Sequence, residues 1–158
     1  MSYVSKRTLV SMIAGAVLVA AYIIYALGDR APAPEALKGW AAAILIFIGI
    51  SVAAQIVIQI IFHIVYAIGI SVKEGNGDGR NAGRIIASES KEDERDRLIG
   101  LKSLRAGYII SGIGAVGMLF GLAFGGSVVI SLHIFFGGCA LAGLVEGLMS
   151  IYYNEKGI

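Results

Sequence analysis

The chain has 158 residues, of which 57% are hydrophobic and 15% are charged, and its mean hydropathy is +0.80. Soluble domains carry about 25% charged residues, so this composition excludes an ordinary soluble domain and indicates a protein of the lipid bilayer. The net charge of +2 is too small to indicate direct nucleic-acid binding, and the one cysteine, Cys139, excludes a disulfide framework.

Four apolar stretches are each long enough to cross about 30 Å of hydrocarbon, which takes about 20 helical residues. They cover residues 8–27, 39–72, 104–124 and 127–152. Backbone amides inside lipid need partners within their own segment, so each stretch should be a helix. We therefore predict an all-α fold, a four-transmembrane-helix bundle made of two hairpins, with residues 1–158 forming a single integral membrane domain.

The second stretch is longer than the bilayer requires. Its 34 residues would measure about 51 Å as a helix, so it should tilt, break or extend beyond the membrane. Trp40, near its start, is expected at the outer interface. We predict an extended second helix whose excess length emerges in the cytoplasm.

Lysine and arginine are concentrated on one side of the four spans. Arg30 and Lys38 fall in the first outer loop, whereas the other eleven lie before span one, after span four, or in and beside the connector at residues 73–103. Because cytoplasmic loops carry the excess of basic residues, both termini and the connector should be cytoplasmic. The predicted location is the plasma (inner) membrane, crossed several times.

The connector contains the densest run of charge in the chain, at residues 91–97. Ser90 and Asp93 have the spacing of a capping box, and acidic side chains follow where a helix dipole favours them. A cytoplasmic helix should therefore begin near Ser90 and continue into the third span. Its charges either face solvent and anionic lipid head groups or bind a partner protein. The candidate partner-binding residues are Glu92, Asp93, Glu94, Arg95, Asp96 and Arg97.

Polar side chains recur inside the spans. Gln55, Gln59 and His63 follow one another at i, i+4 and i+8, so they share one stripe of a helix. Glu146 is the one acidic residue within a span, and a carboxylate there is a functional hypothesis by default. We expect it to face the bundle interior and to pair with Arg105 or His63. The alternative is that this intramembrane polar cluster (Gln55, Gln59, His63, Arg105 and Glu146) only joins the helices.

Metal and cofactor binding are not expected. His63, His133, Cys139 and Glu146 are spread across the thickness of the bilayer, which argues against a shared metal site. We also find no nucleophile and base in a catalytic spacing and no phosphate-binding loop. The sequence therefore predicts a protein that is not an enzyme.

Glycines at four-residue spacing indicate close helix packing in the second half of the chain. Small residues at this spacing let membrane helices approach each other closely. The remaining small-residue faces could also pair two copies of the chain, so a monomer and a homodimer are both left open. The predicted packing residues are Gly117, Gly121, Gly125, Gly143 and Gly147.

The charge run and the start of the third span resemble a pattern found in small prokaryotic membrane proteins with four spans and no assigned activity. The resemblance covers roughly 20 residues and rests on residues 92–99, followed by Lys102, Arg105 and Tyr108. In size and layout such proteins are similar to membrane inhibitors paired with a cytoplasmic DNA-binding regulator. The resemblance implies that the charge run would meet the regulator.

One function is therefore expected, and a second is left open as an alternative. The first is a regulatory or scaffold protein that holds a cytosolic partner, such as a transcription regulator, at the inner face of the membrane. The second is a small transporter or channel-like subunit that uses the intramembrane Gln/His/Glu cluster.

Overall fold

A computed structural model describes residues 3–73 and 94–156. It contains four helices, α1 (Tyr3–Leu27), α2 (Leu37–Lys73), α3 (Glu94–Ala123) and α4 (Val128–Lys156), and the described residues include no strand. The predicted all-α fold with four long helices is confirmed. Glu92, Asp93 and the predicted helix start near Ser90 lie outside the described residues.

All four helices are long and apolar enough to cross a membrane, as expected of a multi-pass membrane protein. Helix α2 runs through 37 residues, about 55 Å, so the helix does not break within its length. Helix α3 begins at Glu94, ten residues before the predicted third span, and continues unbroken to Ala123.

Apolar side chains cover the outside of the protein rather than its inside. Leu27 and Phe124 are each 84% exposed, while serine side chains such as Ser103 and Ser131 are almost fully buried. In water such a surface would be an aggregation hazard, but lipid tails solvate it well. The small buried residues instead let the helices come close together.

Helices α3 and α4 form the most extensive contact, and α1 packs against both α4 and α2. Met12 of α1 lies against Gly147 of α4, the Lys6 ammonium lies 5.8 Å from the Tyr66 ring of α2, and Arg95 of α3 reaches the end of α4. The start of α1, the end of α2, the start of α3 and the end of α4 therefore lie at one end of the bundle, called here the basic end.

The connection between α3 and α4 is fixed by a glycine turn. Gly125 has a φ of +74°, a conformation that costs glycine little and other residues more. The amide of Gly126 donates to the Gly121 carbonyl at 2.8 Å, and that of Gly125 donates to the Leu122 carbonyl at 3.1 Å. These two bonds form a Schellman motif, which ends α3 and turns the chain back into α4.

Candidate functional site

A cavity of about 550 Å³ lies where α1, α2, α3 and α4 meet, nearer the basic end. Its polar lining comes from all four helices: Thr8, Ser11, Ser51, Gln55, Ser103, Glu146 and Ser150. The rest of its wall is apolar, from Val19, Ile48 and Phe136 among others. Its volume lies within the range of about 300–1,000 Å³ that small-molecule sites occupy.

Glu146 brings the one carboxylate of the four spans to this cavity. Its side chain lies against Gly107 of α3, so closely that a Cβ on Gly107 would be 3.2 Å from the Glu146 Oε2 atom. No hydrogen bond or ion pair within residues 3–73 and 94–156 reaches this carboxylate. Glu146 thus faces the helices around it, and the absence of a side chain at Gly107 makes room for it.

The two glutamines of the predicted stripe bind α1 rather than Glu146. Gln55 donates through Nε2 to the Ser11 carbonyl oxygen at 3.0 Å, and Gln59 donates through Nε2 to the Ser11 hydroxyl at 2.6 Å. Both bonds end on one residue because Gln55 and Gln59 are one helical turn apart. Gln55 also lines the cavity, whereas Gln59 does not.

Neither cation expected near Glu146 lines the cavity. Arg105 is exposed, and two residues of helix turn it about 160° away from Gly107, the position that Glu146 contacts. His63 is half-buried on α2, two turns beyond Gln55, with its ring 6.3 Å from that of Phe62. Of the five predicted cluster residues, the structure brings only Gln55 and Glu146 together at the cavity.

Helices α3 and α4 approach each other closely at Gly114 and Gly138. A Cβ on Gly114 would lie 2.9 Å from the Gly138 Cα, so two backbones meet where neither residue has a side chain. Two of the predicted packing glycines lie on the same interface. A Cβ on Gly121 would lie 2.8 Å from the Ser131 hydroxyl, and one on Gly117 would lie 3.2 Å from Ile134.

The other three predicted packing glycines lie elsewhere. Gly125 follows the end of α3 and serves the turn, and a Cβ on it would meet nothing within 4 Å. Gly147 lies against Met12 of α1, whereas Gly117 and Gly121 of α3 face α4. Gly143 lines the cavity and likewise leaves open space where its Cβ would be.

Sequence reasoning missed the roles of Gly107 and Gly138. A heptad spacing was the available signal, because Gly107, Gly114 and Gly121 recur every seven residues and so share one face of α3. Four-residue spacing instead indicates Gly117, Gly121 and Gly125. Gly138 on α4 is not part of a seven-residue glycine repeat. Its signal in the sequence is that it directly follows Gly137.

An aromatic cluster closes the opposite end of the bundle. The Tyr22 ring lies 4.7 Å from that of Phe136 and 5.1 Å from that of Phe47, and the Trp40 ring lies 4.6 Å from that of His133. Trp40 is only 6% exposed and donates through Nε1 to the Ala33 carbonyl at 3.1 Å. It therefore packs inward over His133 and anchors the loop between α1 and α2.

The described part of the charge run forms the first turn of α3. Glu94, Arg95 and Arg97 are exposed and Asp96 is half-buried. Arg95 donates through Nη2 to the Asn154 carbonyl at 3.5 Å, a long contact that links the charge run to the end of α4. The Lys102 ammonium lies 5.8 Å from the Tyr153 ring on the same two helices.

Within the described ranges, no three His, Cys, Asp or Glu side chains are grouped so that they could hold a metal ion. Comparison of the chain with models of protein families, with curated proteins and with solved structures finds no match. The cavity and the basic end are thus the features from which a function can be argued.

Proposed function

We propose that the protein is a non-enzymatic membrane regulatory or scaffold protein that holds a cytosolic partner at the inner face of the membrane. The observation that carries this proposal is the exposed, mixed-charge first turn of α3, at Glu94, Arg95 and Arg97. Alternating charges on a rigid helix give a partner both register and specificity. The similarity in size and layout to membrane inhibitors paired with a cytoplasmic DNA-binding regulator suggests the kind of partner we expect.

The orientation that this proposal needs is supported by the distribution of positive charge. Within the described ranges, lysine and arginine at the basic end come from all four helices, whereas Arg30 and Lys38 are at the opposite end. Because cytoplasmic segments carry the excess of basic residues, the basic end should be cytoplasmic. The protein would then cross the membrane as two hairpins with both termini inside.

The proposal is tested by co-purification from native membranes followed by quantitative mass spectrometry. We expect a cytosolic protein in stoichiometric amount with the wild-type chain, and its loss with Arg97→Glu. Arg30→Glu is the matched control, because it makes the same charge reversal at an exposed site on the opposite end. Retention of the partner by both variants, or repeated failure to find one, contradicts docking.

The cavity favours a second candidate function, the handling of a small solute by a transporter or channel-like subunit. Its supporting observation is that Glu146 and Gln55 line one cavity between the spans. Intramembrane carboxylates mark solute and proton pathways in many membrane proteins. Purified protein in liposomes would show solute flux that Glu146→Gln abolishes, whereas flux equal to that of empty liposomes contradicts this function.

A further inference from the structure

We propose that the cavity around Glu146 is a binding site for a small amphipathic organic cation, with the Glu146 carboxylate holding its charged head. This inference rests on the second proposed function, because it names the class of solute that the same site would take. It does not depend on partner docking at the basic end.

The sign of the ligand's charge follows from the chemistry of the lining. A carboxylate among apolar helices is costly unless a positive charge or hydrogen-bond donors compensate it. The cavity lining includes no lysine or arginine, and among the described residues no donor reaches Glu146. A bound cation would supply the missing positive charge, whereas an anion would add to the repulsion.

The hydrogen bonds around the cavity point the same way. Gln55 uses its amide nitrogen to donate to the Ser11 carbonyl, and Ser103 uses its hydroxyl to donate to the Ile99 carbonyl at 2.9 Å. This leaves the Gln55 Oε1 and Ser103 Oγ atoms as acceptors, and the hydroxyls of Thr8, Ser51 and Ser150 can accept as well as donate. The lining can therefore accept from an ammonium head that lies beside the carboxylate.

The ligand's apolar part is indicated by a second cavity next to the first. This cavity measures about 420 Å³, is lined by Tyr22, Ile23 and Leu141 among others, and is almost wholly apolar. The two cavities share four wall residues, Val19, Phe136, Ala140 and Leu144. A ligand with its cationic head at Glu146 would place its apolar body along these shared residues, towards the Tyr22 ring.

The test is equilibrium dialysis of the full chain in detergent micelles against radiolabelled 2-phenylethylammonium, with empty micelles as the background. 3-Phenylpropanoate has nearly the same shape and the opposite charge, so it reports on apolar partitioning alone. We expect saturable binding of the cation above the background and only non-saturable partitioning of the anion. Equal binding of both ions, or binding that does not saturate, overturns the proposal.

The carboxylate is tested by Glu146→Gln, which keeps the shape of the side chain and removes its charge. We expect the affinity for the cation to fall about tenfold or more, since a charged partner is lost. Glu155→Gln is the matched control at an exposed site, and its affinity should stay within about twofold of wild type. Unchanged binding by Glu146→Gln overturns the proposal.

A second variant keeps the carboxylate and removes space. Gly143 lines the cavity, and a Cβ there would meet nothing within 4 Å, so a side chain can begin at this position without a clash, and Gly143→Leu is chosen to occupy the cavity. We expect it to weaken cation binding too, and it provides the test if Glu146→Gln does not fold. Full affinity in Gly143→Leu would place the cation elsewhere and overturn the proposal. Saturable binding without flux in liposomes would reject transport while leaving the binding site intact.

Discussion

Glycine lets the backbones of α3 and α4 meet, whereas glutamine side chains connect α2 to α1. At Gly114 and Gly138 there is no room for even a methyl group between the helices. Gln55 and Gln59 instead reach across to Ser11 with hydrogen bonds. The α3–α4 contact should therefore be rigid and intolerant of added volume, and the α1–α2 contact should depend on a few polar atoms.

This difference bears on where a solute could enter. The cavity lies between the two kinds of contact, with Glu146 on the tightly packed pair and Gln55 on the other. Modest polar bonds are easier to break and reform than a close backbone contact. Any opening of the cavity should thus occur by movement of α2 relative to α1, with α3 and α4 staying together.

The largest effect is expected from Gly114→Ala. Its new methyl group would be 2.9 Å from the Gly138 Cα, and because that obstacle is backbone, the helices themselves must move. We expect the free energy of unfolding to fall by about 2 kcal/mol, measured by denaturant titration in mixed micelles. Gly112→Ala is the control, because a Cβ there meets nothing within 4 Å. An equal loss in both variants would refute the close contact.

A smaller effect is expected from Trp40→Phe at the end of the α1–α2 pair. Phenylalanine keeps a ring over His133 but cannot donate to the Ala33 carbonyl as the indole does. We expect a loss of about 1 kcal/mol in the free energy of unfolding. Phe124→Leu, at an exposed aromatic side chain, should cost much less. Equal stability of Trp40→Phe and wild type would show that the bond does not anchor this loop.

Gly107→Ala separates side-chain obstacles from backbone obstacles within the α3–α4 pair. The new methyl group would be 3.2 Å from the Glu146 Oε2 atom, and this flexible carboxylate can move aside by a few tenths of an ångström. We expect a loss of about 0.5–1 kcal/mol in the free energy of unfolding, below that of Gly114→Ala. Gly100→Ala, one heptad earlier with open space, is the control. A loss as large as that of Gly114→Ala would mean that Glu146 cannot move.

The four helices could be predicted from the sequence because hydropathy over about 20 residues depends only on composition. The early start of α3 could also be expected, since the charge run contains no helix breaker before Gly100. These are local properties of one segment. They need no knowledge of which helix lies opposite.

The site could be predicted less well because it depends on the rotation of each helix. Gln55, Gln59 and His63 share a stripe, but the sequence does not say that the stripe faces Ser11 of α1. Depth along the helix predicts Arg105 near Glu146, yet its position on α3 turns it to the opposite face from Gly107. Gly114 meets Gly138 only when α3 and α4 have the right positions along and around their own axes. A pattern within one helix does not contain that information.

The smallest effect, and the sharpest test of the α1–α2 contact, is a double-mutant cycle at Ser11. Ser11→Ala removes the hydroxyl that accepts from Gln59 but leaves the carbonyl that accepts from Gln55. We therefore expect a coupling free energy of about 0.6 kcal/mol between Ser11→Ala and Gln59→Leu, a typical value for polar pairs in membranes. The same cycle with Gln55→Leu should give a coupling near zero, because that bond ends on the backbone. Coupling of equal size in both cycles would mean that Gln55 and Gln59 bind the same atom of Ser11, which contradicts this description of the α1–α2 contact.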